Sequence, residues 1–444
     1  KKRKKMNKVL IISSLTSTIL SLENGKAITP PMGWRSWNLF GADVSQSLIQ
    51  KQMDGITSRK RTVNGVPTSL KDLGYVDVGL DDAWQLCGSY GSSNYTYHDV
   101  NGAPVVDENL FPDFKKMTDY AHNLGLTAGW YGNNCICQDH CSTDECYQED
   151  VNALVNFGFD SVKLDGCGAQ LDLQKWSDLI DATGKSILIE NCHWGLDVPT
   201  ETWCPWNYFR TSGDIRASYE AVLTNLMTTI PYSKGLSRPG CWGYPDMLEV
   251  GCDHGPGGED DPGLSFVEAR THFGAWCVVS SPLILSHDTN DDAITDSIWS
   301  IITNTEAIEV NQAWAGDSGG LFASSPTKIR LSPTPVQKKV QQQKLAERNL
   351  GTEVGEWQQW SKKLSDNTAA VLVMNNSEKT LTITINFSSI PTFSSTTFTD
   401  SSFSLRDIWN HEDVGVVSDS YTVTLESHDS AFFKITSVVT NEAH

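Results

Sequence analysis

The sequence predicts an α/β fold, a (β/α)8 TIM barrel over residues 28–317 followed by a C-terminal antiparallel β-sandwich over 318–444. Three observations lead there. From residue 28 to 311 short β-rich segments alternate with longer helix-like ones, the pattern of a parallel sheet with crossover helices. Polar and aromatic residues collect at the ends of the strand-like segments, as they do where a barrel gathers its site on one face. Past residues 318–327 helical periodicity fades and period-two runs rich in Ser, Thr and Val replace it.

Taken in order, the predicted strands are 32–37, 75–81, 126–131, 161–165, 187–192, 208–212, a weaker one near 236–242, and 277–285. Helices are predicted at 114–124, 149–157, 171–183, 218–228 and 266–276. In the second domain 380–385 and 421–425 alternate cleanly between polar and apolar residues, as half-buried strands do. The Gln- and Lys-rich stretch 337–348 reads as a solvated loop or edge strand.

At 444 residues the chain is long enough for a catalytic domain and a smaller partner. Residues 1–27 read as a leader: a basic start, then an apolar-rich run over 9–22 too short to span a bilayer. Secretion, or delivery to a lysosome or vacuole by the secretory route, is the expectation. With 34 Lys+Arg against 54 Asp+Glu the net charge is -20, which excludes nucleic acid and anionic membrane as partners. Homo-oligomerisation is left open. Eleven cysteines in an exported chain read as disulfides with one thiol left over. A zinc site at Cys135, Cys137, Cys141 and Cys146 is the rival reading; C-x-C-x3-C-x4-C is not a common finger spacing, and neither metal nor cofactor is expected. Asn94-Tyr95-Thr96, Asn375-Asn376-Ser377 and Asn386-Phe387-Ser388 have the glycan-acceptor pattern.

Two strand ends carry the chemistry. In Val162-Lys163-Leu164-Asp165 alternation turns Lys163 and Asp165 to the same side, where an ammonium favours the ionised carboxylate a nucleophile needs. Asp214 closes Arg210-Thr211-Ser212-Gly213-Asp214 at a second strand end. Singly, the first reads as a structural ion pair and the second as a helix cap. Together on one barrel face they match glycoside cleavage, which needs one carboxylate to attack and one to protonate the leaving oxygen, about 5–5.5 Å apart in a retaining enzyme.

The barrel region resembles glycoside hydrolase family 27, which holds α-galactosidases and α-N-acetylgalactosaminidases. The resemblance rests on an ordered series: Thr29-Pro30-Pro31-Met32-Gly33-Trp34 with Trp37, Asp81-Asp82-Ala83-Trp84, Lys163-Leu164-Asp165-Gly166-Cys167, Cys192-His193-Trp194-Gly195, Arg210 to Ile215, Pro245-Asp246-Met247-Leu248, Ser281-Pro282-Leu283 and Val310-Asn311-Gln312. Leu405-Arg406-Asp407-Ile408-Trp409 is similar to the family's sandwich. The resemblance implies Asp165 as nucleophile and Asp214 as acid/base. It implies Asp81 and Asp82 as acceptors from galactose hydroxyls, Trp37 as a packing surface, Tyr131, Lys163, Arg210 and Asp246 as further hydroxyl contacts, and Met247 as wall. It also implies disulfides from Cys192 to Cys204 and from Cys167 to one member of the Cys135–Cys146 cluster, Cys135 being the expected partner. A bridge from Cys241 to Cys252, flanking the Asp246 loop, is a further expectation.

Departures bear on specificity. His193 stands where the family's galactosidases usually place Glu and its acetamido-sugar enzymes a small residue; a bulky His beside Leu196 leaves little room for an N-acetyl group. Trp242-Gly243-Tyr244 precedes Pro245-Asp246-Met247, and Ala83 stands where Cys is common, so neighbouring loops are reshaped. The expected function is release of terminal α-linked galactose by double displacement. An α-N-acetylgalactosaminidase, a β-L-arabinopyranosidase and a catalytically silent galactose-binding lectin are the alternatives.

Overall fold

In the computed structural model, which describes residues 20–254, 261–331, 353–394 and 402–438, eight short parallel strands are laid down in chain order. They are β1 (Met32–Arg35), β2 (Asp77–Gly79), β3 (Thr127–Gly132), β4 (Ser161–Asp165), β5 (Leu188–Cys192), β6 (Tyr208–Arg210), β7 (Trp242–Tyr244) and β8 (Leu283–Leu285). From β1 to β7 each pairs with its sequence neighbour, and β8 returns to pair with β1. Between β7 and β8 the Leu248 N–H donates to the Ile284 carbonyl at 2.8 Å, which ties the two ends of the sheet together. This is the (β/α)8 arrangement.

The helices around the strands are α1 (Gln46–Thr57), α2 (Phe114–Asn123), α3 (Asp144–Phe157), α4 (Leu173–Ala182), α5 (Tyr219–Met227), α6 (Phe266–Val278), α7 (Asp292–Ile302) and α8 (Thr305–Gln312). Every one starts on a Ser, Thr, Asp or Asn whose side chain accepts a first-turn backbone N–H, and Ser265 with Glu268 forms a full capping box on α6.

The barrel interior is more ionic than apolar packing alone would make it. Arg35 of β1 is buried across the axis, its Nη2 3.2 Å from Asp77 Oδ2 and 3.1 Å from the Tyr208 hydroxyl, its Nε 3.5 Å from Glu190 Oε2. Gly79 admits it: a Cβ there would stand 1.6 Å from Arg35 Nη1. These pairs form the floor beneath the barrel mouth and offset the cost of burying each charge.

The C-terminal unit is an antiparallel sandwich. A six-stranded sheet runs β9 (Gly320–Ser324), β10 (Trp357–Ser365), β11 (Thr368–Asn375), β16 (Ser430–Val438), β13 (Ser402–Asp407) and β14 (Glu412–Ser418), and β12 (Leu381–Asn386) pairs with β15 (Ser420–Leu425). Central strand β11 is buried along its whole length. Its Val371 and Val373 face the sandwich core with Ile385, Phe403 and Phe433, whereas Leu372 and Met374 join a cluster continuous with barrel residues of α6.

Several expectations need correction. The seventh strand is Trp242–Tyr244, because Leu236 to Cys241 turns back on itself through the Arg238–Cys241 bridge and Pro239-Gly240. The eighth is only Leu283–Leu285; α6 continues to Val278, and an apolar run buried on all sides does not distinguish helix from strand by periodicity. Helices α1, α7 and α8 were not anticipated. Asn375 is fully buried, its amide donating to the Lys379, Leu425 and Glu426 carbonyls, so it is no glycan acceptor in the folded chain, whereas Asn94 and Asn386 are exposed. Residues 1–19 of the expected leader and the stretch 337–348 lie outside the described residues. Among the described residues no helix is long and apolar enough to cross a membrane.

Candidate active site

The strand ends deliver the expected acids to one mouth. Asp165 is the last residue of β4 and is 6% exposed; Asp214 follows β6 with a side chain 38% exposed. Cys167 N–H donates to Asp165 Oδ1 at 3.2 Å, and Asn133 Nδ2 holds the Asp165 carbonyl at 2.9 Å. Burial pushes the Asp165 carboxyl up to about 6; Lys163 opposes this, and the neighbouring charges of Asp214 and Asp81 reinforce it. Lys163 acts in the direction that strand alternation predicts, favouring the ionised carboxylate. It does not prevail, because Lys163 Nζ is committed to Asp81 Oδ2 at 2.7 Å while Asp165 is buried among other acids.

Arg210 holds the opposite side. Its Nη2 lies 3.0 Å from Asp214 Oδ1 and 2.9 Å from Asp246 Oδ2, so one buried guanidinium orients both acids. Asp246 also accepts N–H groups from Ile215 and Met247, each at 2.9 Å, and holds a left-handed φ of 88°. Such a backbone is disfavoured for a non-glycine residue and persists where its surroundings fix it. Burial raises the Asp246 carboxyl, with Arg210 opposing.

Asp82 is gripped from all sides. Ala83 N–H (2.8 Å) and Asn134 Nδ2 (3.0 Å) donate to Oδ1, while the Cys135 and Ile136 N–H groups (both 3.1 Å) and the Tyr131 hydroxyl (3.4 Å) donate to Oδ2. Tyr131 also offers its ring to Lys163 Nζ, 5.4 Å from the centroid. Trp37, half-buried in a helical turn after β1, packs with Met247, Tyr244 and Trp242. His193 is 3% exposed; its Nδ1 lies 2.6 Å from Asp197 Oδ2, and its Nε2 has no hydrogen-bond partner among the described residues.

The cysteine pattern differs from expectation at two places. Cys135 bonds to Cys167, which ties the loop gripping Asp82 to the strand end bearing Asp165. Cys192 is not bonded to Cys204: Cys192 ends β5 beneath Arg210, whose Nη1 is 3.3 Å from its sulfur, while Cys204 sits in the returning loop beside Cys241 and bonds to it. The expected Cys241 to Cys252 bridge therefore does not form either, and Cys252 is a buried thiol. Cys87 bonds Cys137 and Cys141 bonds Cys146, so among the described residues three thiols, Cys192, Cys252 and Cys277, are free rather than one.

Sequence reasoning missed Asn133 and Asn134, whose amides hold Asp165 and Asp82, and Trp194, whose Nε1 donates to Asp214 Oδ1 at 3.2 Å. Only Trp194 lay inside a motif already singled out.

Fold and mouth together define the class: an O-glycosyl hydrolase built on a barrel with a C-terminal sandwich. The family model described as alpha galactosidase A matches residues 29–313, and that described as the alpha galactosidase C-terminal beta sandwich domain matches 354–435. The chain belongs to the α-galactosidase family, glycoside hydrolase family 27. It is 29% identical over 425 residues to an α-galactosidase of Cyamopsis tetragonoloba, covering 93% of this chain and 88% of that one. An α-N-acetylgalactosaminidase of Rattus norvegicus is 28% identical over 351 residues, covering 73% and 78%. Among solved structures, α-galactosidase I of Mortierella vinacea superposes with a TM-score of 0.72 at 25% identity, covering 93% of this chain and 98% of that one.

Proposed function

We propose that this enzyme releases terminal α-linked galactose by double displacement, with Asp165 as nucleophile and Asp214 as acid/base. The observation that carries the reading is the pair of strand-end acids in one mouth, the first buried and feeling the charge of the second. Asp165 bonds to the anomeric carbon as Asp214 protonates the departing oxygen; water then attacks the same carbon, its proton passing to Asp214 as Asp165 leaves. Asp165 is held by the Cys167 N–H, so little reorganisation is needed when its charge moves onto carbon. Asp81, Asp82, Lys163, Arg210 and Asp246 read the sugar hydroxyls, Tyr131, Trp37 and Met247 line the pocket, and His193 contacts the sugar beside the anomeric centre. The four disulfides and the exposed acceptors Asn94 and Asn386 support passage through the secretory route to the exterior, a lysosome or a vacuole.

Aryl α-galactoside turnover in Asp165→Ala and Asp214→Ala tests the assignment. Each variant is expected to lose at least about a hundredfold in kcat. Added azide gives β-galactosyl azide with the first variant, since a single displacement inverts, and α-galactosyl azide with the second, since displacement from a galactosyl-enzyme retains. Near-normal turnover in either variant, or the reverse stereochemistry, removes the assignment.

A further inference from the structure

The two donors on Asp214 converge on one of its oxygens. Arg210 Nη2 reaches Oδ1 at 3.0 Å and Trp194 Nε1 reaches the same Oδ1 at 3.2 Å; among the described residues no donor reaches Oδ2. The indole is held for this contact. Trp194 has a left-handed backbone, φ 51°, disfavoured for an aromatic residue, and is followed by Gly195 at φ 78°. Gly195 is required there, because a Cβ would stand 2.7 Å from the Thr211 carbonyl, so the turn is pressed against the segment leading from β6 to Asp214. On its other side the Trp194 ring lies over Gly166, where a Cβ would come within 2.9 Å of ring carbon Cζ3. Gly166 directly follows Asp165, so the one ring is wedged between the segments bearing the two acids.

We infer that Trp194 is a positioning residue for the acid/base: with Arg210 it pins Oδ1 of Asp214 and so assigns the transferred proton to Oδ2. The inference rests on the role proposed above for Asp214. In the first step the O–H bond at Oδ2 breaks and its proton goes to the glycosidic oxygen, which takes the electron pair of the C1–O bond as Asp165 bonds to C1. In the second, a water proton returns to Oδ2 as the water oxygen bonds to C1 and Asp165 departs with its electron pair. The other charged groups facing Asp214 are Arg210, Asp165 and Asp246, and a change at Trp194 leaves all three in place.

Trp194→Phe is compared with the parent enzyme on an alkyl α-galactoside, whose leaving group needs the proton, and on 2,4-dinitrophenyl α-galactoside, whose leaving group does not. The expected result is a kcat/KM about tenfold lower on the alkyl substrate and less than about twofold lower on the dinitrophenyl one. Trp194→Leu, which likewise carries no donor, is expected to behave alike and decides the matter if the Phe variant does not fold. Equal losses on both substrates overturn the inference and leave Trp194 a pocket wall. Asp214→Ala separates this from failure of the underlying reading: if it retains normal alkyl-galactoside turnover, the acid/base assignment falls; if it loses that turnover while Trp194→Phe is unchanged, only the role of Trp194 falls.

Discussion

Asp165 needs its charge in order to attack, yet burial among Asp81 and Asp214 holds its proton to about pH 6 against the pull of Lys163. The sign of the consequence is fixed. As pH falls through about 6 the nucleophile becomes protonated, so kcat/KM is expected to fall tenfold per pH unit on the acidic side, with the break near 6. A pH profile on an aryl α-galactoside checks this, and a rate still flat at pH 4 contradicts it. Stability runs the other way: between about pH 4 and 6 the folded chain keeps a proton that the unfolded chain has released, so ionising Asp165 costs stability as pH rises through that window. At this scale the sequence showed the acids but not their state. Lys163 and Asp165 share a strand face, as alternation required, but nothing in the order of residues revealed that Lys163 would spend its charge on Asp81. Pairings across the barrel depend on which side chain reaches first, and that is why Cys192, beside Arg210, is left unpaired while Cys204 finds Cys241.

At the scale of elements, the strands that carry site residues were legible, because a strand ending in polar residues after an apolar run has a distinct pattern. Helices α1, α7 and α8 were not, although Ser45, Asp291 and Asn304 cap them in the ordinary way. The long loops after β2 and β3 are held by a buried cluster that had no sequence signature. His98 Nε2 lies 3.0 Å from Asp150 of α3 and its Nδ1 3.3 Å from Asp139, which in turn accepts the Thr96 and Tyr97 N–H groups at 2.7 and 2.8 Å. Burial opposes the charged imidazole, but Asp150 and Asp139 prevail and raise it to about 9. Its contribution to stability is therefore full below about pH 6.5 and is lost as pH rises through about 9. His98→Ala leaves two buried carboxylates without their cation and is expected to cost about 3–5 kcal/mol at pH 6, read from urea melts. A loss below about 1 kcal/mol would show that the loops are held by the Cys87–Cys137 bridge instead.

On the scale of the whole molecule, barrel and sandwich share one apolar cluster, in which Trp360, Leu372 and Phe432 pack with α6 of the barrel. Gly274 in the middle of α6 is the price of that closeness: a Cβ there would stand 2.7 Å from the Trp409 ring and 3.0 Å from Leu372 Cδ1. Gly274→Val is expected to destabilise the entire chain by about 1–3 kcal/mol, and calorimetry of the parent enzyme is expected to show a single transition. Two resolved transitions, with only the later one moved by the substitution, would mean that the units are independent. The two-domain plan was visible in the switch from helical to period-two patterning, whereas this shared core was not, since contacts between distant segments leave no local trace. The catalytic plan is tested most directly by incubating the enzyme with a 2-deoxy-2-fluoro galactosyl fluoride and mapping the labelled peptide. Time-dependent inactivation with the sugar on Asp165 is the predicted result; a label on Asp214 or Asp246, or continued turnover with no adduct, would contradict it.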